Sequence, residues 1–471
     1  MTVLATVVFF SLYPTHFLIA DEAAYFGQAQ TWAAGRTAEC TSPLPCSTGE
    51  SNIYLPGDYP AGTGLLAAFC IQVTGVRAVF WGSFVCWLAG TWALGFALRD
   101  NGQLPAWAFF PWLYLPAALL TRTLMSELPS FALAALFLYL VAGPNRSRGY
   151  LLGAGWVAGL AILFRETNVL WALPFLIGAL VRRTPYAASL WAGFVIGLTP
   201  RYLSAALLFG HPLYVRDPGI GFSIHAFPKN LAFYLFALLV LLPGGLWWLA
   251  KSRWPFRQEA FIAAGLFLSV YGCYEYDAFA KSGYKALVLQ GRFLIPLLPA
   301  LTLAAACGPP AFHRHSRRLR TGLLLCAGVF FLTVQVAGWR FNRAQQRITA
   351  ALYQVPGGRQ LSFTPDETRK YINGLAGPMV WYAGDQLTRQ QIWCDTVWYA
   401  HILSRGESMD QEKKALTALS RLQQFWLDTL PAPSVDISAT DGSRLRVWKL
   451  TLPAGSSPEN KIYRYPHEQT R

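Results

Sequence analysis

The sequence predicts an all-α polytopic membrane protein with about eleven transmembrane helices, followed by a small C-terminal extracytoplasmic α/β domain. Hydrophobic residues make up 54% of the 471 residues and charged residues only 13%, whereas soluble proteins carry roughly 25% charged residues. Apolar runs close to the roughly 20 residues that cross the hydrocarbon alternate with short polar segments. From about residue 340 the long apolar runs stop and charges are spread through the chain.

The basic residues lie mostly in short loops between apolar runs. The formal net charge is +15, which by itself is compatible with nucleic-acid binding. Clusters of Arg and Lys in alternate loops are instead what the positive-inside rule requires. The 18 Trp and 21 Tyr suit the membrane–water boundary. The lipid bilayer is therefore a predicted partner, and nucleic acid is not.

The apolar runs are predicted to cross the bilayer in turn, the first one outward. That run lacks the basic flank and the small-residue cleavage site of a signal peptide, so a span is favoured over a signal peptide. The short run 59–74 is predicted to be a re-entrant or interfacial helix. The predicted crossings are 3–20, 79–98, 104–120, 128–141, 150–163, 169–181, 187–209, 231–249, 261–273, 293–307 and 323–336.

Charge fixes the orientation of these crossings. Every loop that this register places inside carries Arg or Lys, and residues 313–320 are very basic. Moving the register by one crossing would place these clusters outside, against the positive-inside rule. We expect an integral protein of a bacterial inner or plasma membrane, with its active site and C-terminal domain on the extracytoplasmic side.

Two domains are predicted. Residues 1–339 form the transmembrane domain, in which 21–78 are the first outer loop with juxtamembrane helices. Residues 340–471 form the extracytoplasmic soluble domain. Its predicted strands are 379–383 and 445–450, and its predicted helices are 390–403 and 411–427.

Cys40 and Cys46 flank a polar stretch of the first outer loop. An oxidising outer compartment would allow a disulfide between them, and two free thiols are the alternative. Most of the other cysteines lie in apolar runs, where a thiol behaves as a small hydrophobe. No metal-ligand spacing stands out, so no metal site is predicted.

Ionisable residues recur in the predicted outer loops. Charged groups at a membrane are costly and usually face protein or a water-filled cavity. We therefore expect an outward cavity that combines carboxylates with several cations. These residues are Asp21, Glu22, Glu127, Arg165, Glu166, Arg201, Glu275, Asp277, Lys281, Lys285 and Arg292.

Several of these residues also have a structural interpretation. Asp21 and Glu127 could act at helix ends, where a carboxylate favours the N-terminal dipole. Arg292 could extend its guanidinium to the headgroups. The remaining alternatives are a local ion pair of Arg165 with Glu166, and lipid-headgroup binding by Lys281 and Lys285.

Several short motifs occur in order along about 280 residues of the chain, on the predicted sides of the membrane. They are ADEAAYF at 20–26, DYPAG at 58–62, SEL at 126–128, FGHP at 209–212 and QGRFLIPLLP at 290–299. The ordered set resembles the GT-C superfamily of lipid-phosphosugar-dependent glycosyltransferases. The likeness is greatest to the branch of protein O-mannosyltransferases and lipid A aminoarabinose transferases, which is similar to glycosyltransferase family 39.

This resemblance implies roles for individual residues. Asp21 matches the acid that deprotonates the acceptor, and Glu22 would orient the acceptor or tune the base. Glu127 matches a second acidic position, and Arg292 matches a basic residue near the donor phosphate. Further candidates are Arg165, Arg201, Lys281 and Lys285 for the phosphate, and Tyr25, Tyr59, His211, Glu275 and Asp277 for the substrate cavity.

The implied reaction is an inverting transfer of a sugar from a polyprenyl-phosphate-linked donor to an extracytoplasmic protein, lipid or glycan. Cations stabilise the charge that develops on the phosphate leaving group. A carboxylate on the other side of the anomeric carbon serves as the base. The residues imply no bound cofactor, and they leave open whether a divalent metal takes part.

Two other functions are compatible with the sequence. A lipid or solute transporter, or flippase, tends to have broken helices and repeated halves. No convincing repeat occurs here, and the candidate polar residues gather at one face of the membrane. The second alternative is a non-catalytic partner in glycan assembly, whose outer domain binds glycan. Loss of transfer in Asp21→Asn with lipid binding intact would separate the enzyme from both.

Overall fold

The computed structural model describes most of the membrane part of the chain and separate strands of the C-terminal part. The described residues are 1–19, 21–37, 39–40, 54–55, 59–143, 146–214, 221–242, 244–276, 286–308, 316–353, 361–364, 382–383, 396–403, 435–438 and 444–451. Two compact units are formed. The first comprises Met1–Tyr13, Ala24–Ala38 and Pro56–Gly338, and the second Pro14–Ala23, Glu39–Leu55 and Trp339–Arg471.

The α-helices account for most of the described residues. In chain order they are α1 Thr2–Ser11, α2 Asp21–Ala33, α3 Ala61–Thr74, α4 Trp81–Asp100, α5 Leu115–Leu120, α6 Glu127–Ala142, α7 Arg148–Phe164, α8 Val169–Val181, α9 Ala187–Phe209, α10 Phe227–Leu241, α11 Gly245–Lys251, α12 Arg257–Cys273, α13 Ala286–Leu289, α14 Leu298–Ala306 and α15 Ser316–Tyr353. Shorter 3-10 helices join some of them, at Val76–Phe80, Pro105–Leu113, Glu166–Asn168, Ile224–Ala226 and Gly291–Leu297.

Within the described residues, five helical stretches are long and apolar enough to cross a membrane. They are Val76–Asp100, Ala187–Phe209, Ile224–Leu241, Ala286–Ala306 and Arg320–Arg343. Shorter apolar helices include α1, α3, α6 and α7. The chain is a helical integral membrane protein, while the count of eleven crossings remains a prediction.

The first predicted crossing, 3–20, is wrong in its length. Helix α1 ends at Ser11, and Pro14 follows it. Proline disfavours helical backbone in the residue before it and lacks an amide N–H. The sequence suggested that Asp21 and Glu22 follow the end of the first helix. They instead form the first turn of α2.

Prolines also interrupt two other predicted crossings. The run 104–120 divides into the 3-10 helix Pro105–Leu113 and the short helix α5. The run 293–307 begins within the 3-10 helix Gly291–Leu297 and continues as α14. In contrast, the last predicted run, 323–336, is the centre of the much longer α15.

Helices α7 and α9 pack closely along a line of glycines. A Cβ atom on Gly155 would lie 1.9 Å from the carbonyl oxygen of Leu190, and one on Gly159 would lie 2.3 Å from that of Phe194. Gly193 and Gly197 on α9 meet the backbone of α7 in the same way. Each helix thus has a small-xxx-small pattern that allows its backbone to approach a neighbour within a membrane.

A two-stranded sheet joins β1 Glu39–Cys40 to β2 Tyr54–Leu55. The strands of the C-terminal part are β3 Leu361–Thr364, β4 Tyr382–Ala383, β5 Thr396–Leu403, β6 Val435–Ser438 and β7 Arg444–Thr451. They form a five-stranded mixed sheet with the order β4-β3-β5-β7-β6. Strand β3 is parallel to β4 and β5, whereas β7 is antiparallel to β5 and β6.

The predicted strand 445–450 lies within β7, and β4 falls within the predicted strand 379–383. The helix predicted over 390–403 is wrong where the structure describes it, because 396–403 form β5. Its β-branched and aromatic residues favour a strand over a helix. The helix predicted over 411–427 lies outside the described residues, so the α part of this domain and its outer location remain predictions.

Candidate functional site

A buried carboxylate joins two arginines that are far apart in the sequence. Glu127, in the first turn of α6, is completely buried. Its Oε1 atom lies 2.7 Å from Nη1 of Arg165 and 3.3 Å from Nε of Arg292. Arg165 follows α7 in extended backbone, and Arg292 lies near the start of the 3-10 helix Gly291–Leu297. These three groups together carry one net positive charge, because two guanidinium groups face one carboxylate.

Both guanidinium groups also lie over the same aromatic ring. Their central carbons are 4.9 Å and 5.2 Å from the centroid of the Phe293 ring, for Arg165 and Arg292 respectively. The ring of Tyr271, from α12, stacks on Phe293 at 4.7 Å with an interplanar angle of 6°. Both arginines are therefore held by cation–π attraction to Phe293 as well as by Glu127, and stacking on Tyr271 holds the Phe293 ring.

Hydrogen bonds hold the Arg165 side chain and the residues that follow it. Arg165 Nε donates to Thr167 Oγ1 at 3.1 Å, and that oxygen is 2.9 Å from the Tyr271 hydroxyl. Asn168 is fully buried and donates through Nδ2 to Ser130 Oγ and to the carbonyl of Ala161. This amide connects the start of α6 with the end of α7, the helices that carry Glu127 and Arg165.

A tyrosine fixes the backbone next to Arg292. The hydroxyl of Tyr114 donates to the carbonyl oxygen of Gly291 at 2.7 Å, and the Tyr114 side chain is completely buried. A Cβ atom on Gly291 would lie 3.3 Å from Pro116 and 3.4 Å from the Tyr114 hydroxyl. The residue before Arg292 is thereby held close to the end of the 3-10 helix Pro105–Leu113.

Helix α2 contributes two of the predicted cavity residues. The rings of Tyr25 and Tyr59 are 4.6 Å apart, and Gln28 Nε2 donates to the Tyr59 carbonyl at 3.1 Å. Tyr25 is buried and within electrostatic range of Arg165. The structure therefore brings this tyrosine pair to the arginine cluster, which the motifs alone did not establish.

Asp21 and Glu22 occupy different surroundings at the start of α2. Glu22 is completely buried, and its Oε1 accepts hydrogen bonds from the backbone amides of Leu18 at 2.6 Å and Ile19 at 2.8 Å. The Asp21 side chain is half-buried. Glu22 thus fixes the turn before α2, and the catalytic roles of Asp21 and Glu22 remain predictions.

The local ion pair anticipated for Arg165 and Glu166 is wrong, because Arg165 pairs with Glu127. Glu166 instead pairs with Arg201 at 3.0 Å. Arg201 also donates to the carbonyl of Tyr214 at 2.7 Å. This predicted phosphate ligand thus ties α9 to the turn that follows it.

His211 and Glu275 are exposed residues of two connections. His211 lies in the turn after α9, and its Nδ1 accepts from the amide of Leu213. Glu275 follows α12, and its backbone amide donates to the carbonyl of Gly221. Their roles in a substrate cavity remain predictions.

The structure leaves several predicted residues outside its described part. Cys40 lies in β1, whereas Cys46, Asp277, Lys281 and Lys285 are outside the described residues. The disulfide and these phosphate-binding and cavity roles therefore remain predictions. Among the residues that the structure describes, no group of three or more His, Cys, Asp or Glu side chains could hold a metal ion.

Sequence reasoning overlooked the tyrosines around Phe293. Tyr274 and Tyr276 lie with their ring centroids 6.1 Å and 5.8 Å from that of Phe293. Burial raises the pKa of the Tyr274 phenol still further above neutral pH, and the protonated hydroxyl is a hydrogen-bond donor. The sequence YEYD at 274–277 alternates tyrosines with acids. This pattern could have indicated the tyrosines, but only the two acids were chosen as candidates.

Comparisons by sequence and by structure give different results. No protein-family model and no curated protein matches the chain in sequence. Two solved structures match its fold, both of ArnT from Cupriavidus metallidurans. One was determined with undecaprenyl phosphate bound and has a TM-score of 0.54 at 14% identity. The other is the apo state, with a TM-score of 0.56 at 13% identity.

These matches extend over nearly the whole protein. In both cases 94% of this chain and 96% of the ArnT chain are covered. At such identities the likeness establishes the fold and not the activity. The chain therefore has an ArnT-like membrane fold, in agreement with the resemblance that its ordered motifs suggested.

Proposed function

We propose that this protein is an inverting glycosyltransferase that moves a sugar from a polyprenyl-phosphate donor to an extracytoplasmic acceptor. The observation that carries the proposal is the pair of arginines, half-buried Arg165 and buried Arg292, that both contact Glu127. A phosphate leaving group needs such cations, since charge develops on its oxygen as the sugar departs. An ArnT structure of the same fold binds undecaprenyl phosphate, which supports this choice of donor.

Glu127 acts as a positioning residue in this proposal and not as a base. Its Oε1 already contacts two guanidinium groups, those of Arg165 and Arg292. A single carboxylate between two arginines fixes their spacing while leaving an excess of positive charge. An incoming phosphate monoanion or diester would balance that charge.

Asp21 is the proposed base. The acceptor hydroxyl or amine attacks the anomeric carbon, its proton passes to the Asp21 carboxylate, and the bond from that carbon to the phosphate oxygen breaks. The electron pair of that bond leaves with the polyprenyl phosphate, and no covalent sugar–enzyme intermediate forms. Asp21 is the first residue of α2, and its match to the acid of the family's first outer loop supports this role.

The proposed setting is the extracytoplasmic side of a bacterial plasma membrane. The basic loops support this orientation through the positive-inside rule. A lipid-linked donor also explains a site at the membrane, because its polyprenyl tail remains in the bilayer while the phosphosugar enters the protein. The acceptor class is left as protein, lipid or glycan.

Mass spectrometry of surface glycans and lipids tests this function in cells. Cells without the gene should lack one sugar substituent and regain it with the wild-type gene. Complementation with Arg292→Gln should fail, and Arg99→Gln, a change at an exposed arginine of α4, should succeed. An unchanged glycan and lipid profile after deletion would contradict the enzymatic proposal.

A further inference from the structure

A row of aromatic side chains extends from the arginine cluster toward the surface. The buried ring of Phe293 contacts Tyr274 and Tyr276, whose own centroids are 6.0 Å apart with an interplanar angle of 23°. Phe222 continues the row, 5.3 Å from Tyr274. We call Phe222, Tyr274 and Tyr276 the aromatic platform.

Exposure changes steadily along this row. Phe293 and Tyr271 are each only 4% exposed, Tyr274 and Tyr276 are half-buried, and Phe222 is 61% exposed. The row therefore presents partly exposed aromatic surface next to Phe293, the ring over which both arginines lie.

Backbone contacts make the platform a built feature. Phe222 and Tyr274 face each other in an isolated antiparallel β-bridge. The amide of Ser223 donates to the carbonyl of Cys273 at 2.7 Å. Asn230 Nδ2 donates to the Tyr274 carbonyl at 2.6 Å from the first turns of α10. Both segments that carry the platform are therefore held in place relative to α10 and α12.

We propose that the aromatic platform binds the sugar ring of the donor. The inference rests on the proposed function, in which the donor phosphate lies at Arg165 and Arg292. The sugar is bonded directly to that phosphate, so its ring must lie beside the arginines. The C–H face of a pyranose or furanose packs well on an aromatic ring, and the protonated Tyr274 hydroxyl can donate to a ring substituent.

The position of the arginines supports this order of subsites. Arg165 lies over Phe293 and 5.9 Å from the centroid of Tyr271, and these two rings are the buried end of the row. A phosphate at the guanidinium groups would thus place its substituent toward Tyr274 and Tyr276. The platform would therefore raise the affinity for a polyprenyl phosphate that carries a sugar, and not the affinity for the polyprenyl phosphate alone.

Binding measurements with and without the sugar test this inference. Purified protein in nanodiscs would be titrated with undecaprenyl phosphate and with forms that carry glucose, mannose or aminoarabinose. The wild type should bind at least one sugar-bearing form more tightly than the free phosphate. Tyr274→Ala and Tyr276→Ala should weaken that form about tenfold and leave the affinity for undecaprenyl phosphate unchanged.

Two controls separate this inference from the function on which it rests. Tyr202→Ala removes an exposed tyrosine of α9, outside the aromatic platform, and should change no affinity. Arg292→Gln should weaken every form, and if it weakens none, the phosphate site itself is wrong. If Arg292→Gln acts as expected but the platform variants weaken all forms equally, or none, the sugar-binding inference is wrong. Equal wild-type affinity for all four lipids would also contradict it.

Discussion

Glu127 shows how one buried carboxylate can organise two remote arginines. The side chain is fully buried, so its charge would be costly without close partners. Sequence motifs identified Glu127 and Arg292 as candidates, because each begins or interrupts an apolar run. The pairing with Arg165 was not predictable, since it joins residues 38 positions apart and depends on how α6 packs on α7.

Arg292→Gln should weaken binding of undecaprenyl phosphate about tenfold to a hundredfold, because a hydrogen bond to a charged group contributes about 1.5–3 kcal/mol. Titration in nanodiscs checks the change. Arg99→Gln is the matched control, as it removes a largely exposed arginine from the end of α4. Equal affinities for both variants would exclude Arg292 from the phosphate site.

Glu127→Gln should lower stability by about 3–5 kcal/mol, because it leaves two neighbouring guanidinium groups without their common counter-charge. Thermal unfolding in detergent measures this loss. Added undecaprenyl phosphate should raise the unfolding temperature of the variant more than that of the wild type, since the ligand supplies the missing negative charge. An equal increase would count against an anion site here.

At the scale of elements, helix ends rather than helix centres position the candidate site. The 3-10 helix Gly291–Leu297 carries Arg292, and Tyr114 anchors its first residue by one hydrogen bond. The sequence predicted a helix here from its apolar composition. It did not predict the 3-10 form or the Tyr114 contact, because the partner lies 177 residues away.

Tyr114→Phe should cost about 1 kcal/mol of stability, the usual contribution of one hydrogen bond. It should also weaken binding of undecaprenyl phosphate several-fold, because the backbone beside Arg292 loses its anchor. Affinity and thermal unfolding measured on the same preparations check both effects. Reduced stability with unchanged affinity would mean that Tyr114 has no positioning role.

The contact between α7 and α9 predicts that a change from glycine to alanine has different effects on stability at two positions of α7. Gly159→Ala should destabilise the protein by about 1–3 kcal/mol, because its Cβ atom would lie 2.3 Å from the carbonyl oxygen of Phe194. Gly153→Ala should be neutral or stabilising, since its nearest neighbour is Leu140 at 3.9 Å. Thermal unfolding of both variants in one detergent provides the comparison.

At the scale of the whole molecule, composition and charge carried most of the fold prediction. They indicated a polytopic helical protein, and the ordered motifs suggested a resemblance with which the ArnT-like fold agrees. The strand β5 was mistaken for a helix, because short apolar runs do not distinguish the two periods well. The aromatic platform was missed for a different reason: it forms only where the connection after α9 meets the end of α12.

Topology should follow the basic loops. In a cysteine-free background, His211→Cys should react with a membrane-impermeant maleimide in intact cells, because the turn after α9 is expected outside. Thr184→Cys, in the exposed connection after α8, should react only after permeabilisation. The reverse pattern would overturn the proposed orientation and with it the extracytoplasmic site.

The transfer reaction itself tests the central claim most directly. Purified protein would be incubated with radiolabelled undecaprenyl-phosphate sugars and an envelope extract as acceptor, and labelled product would be counted. The wild type should transfer label, whereas Asp21→Asn should lose at least about 99% of that rate, because the base that accepts the proton is gone, while still binding undecaprenyl phosphate like the wild type. Undiminished transfer by Asp21→Asn would contradict the assignment of the base, and absence of transfer by the wild type with every donor would contradict the proposed function.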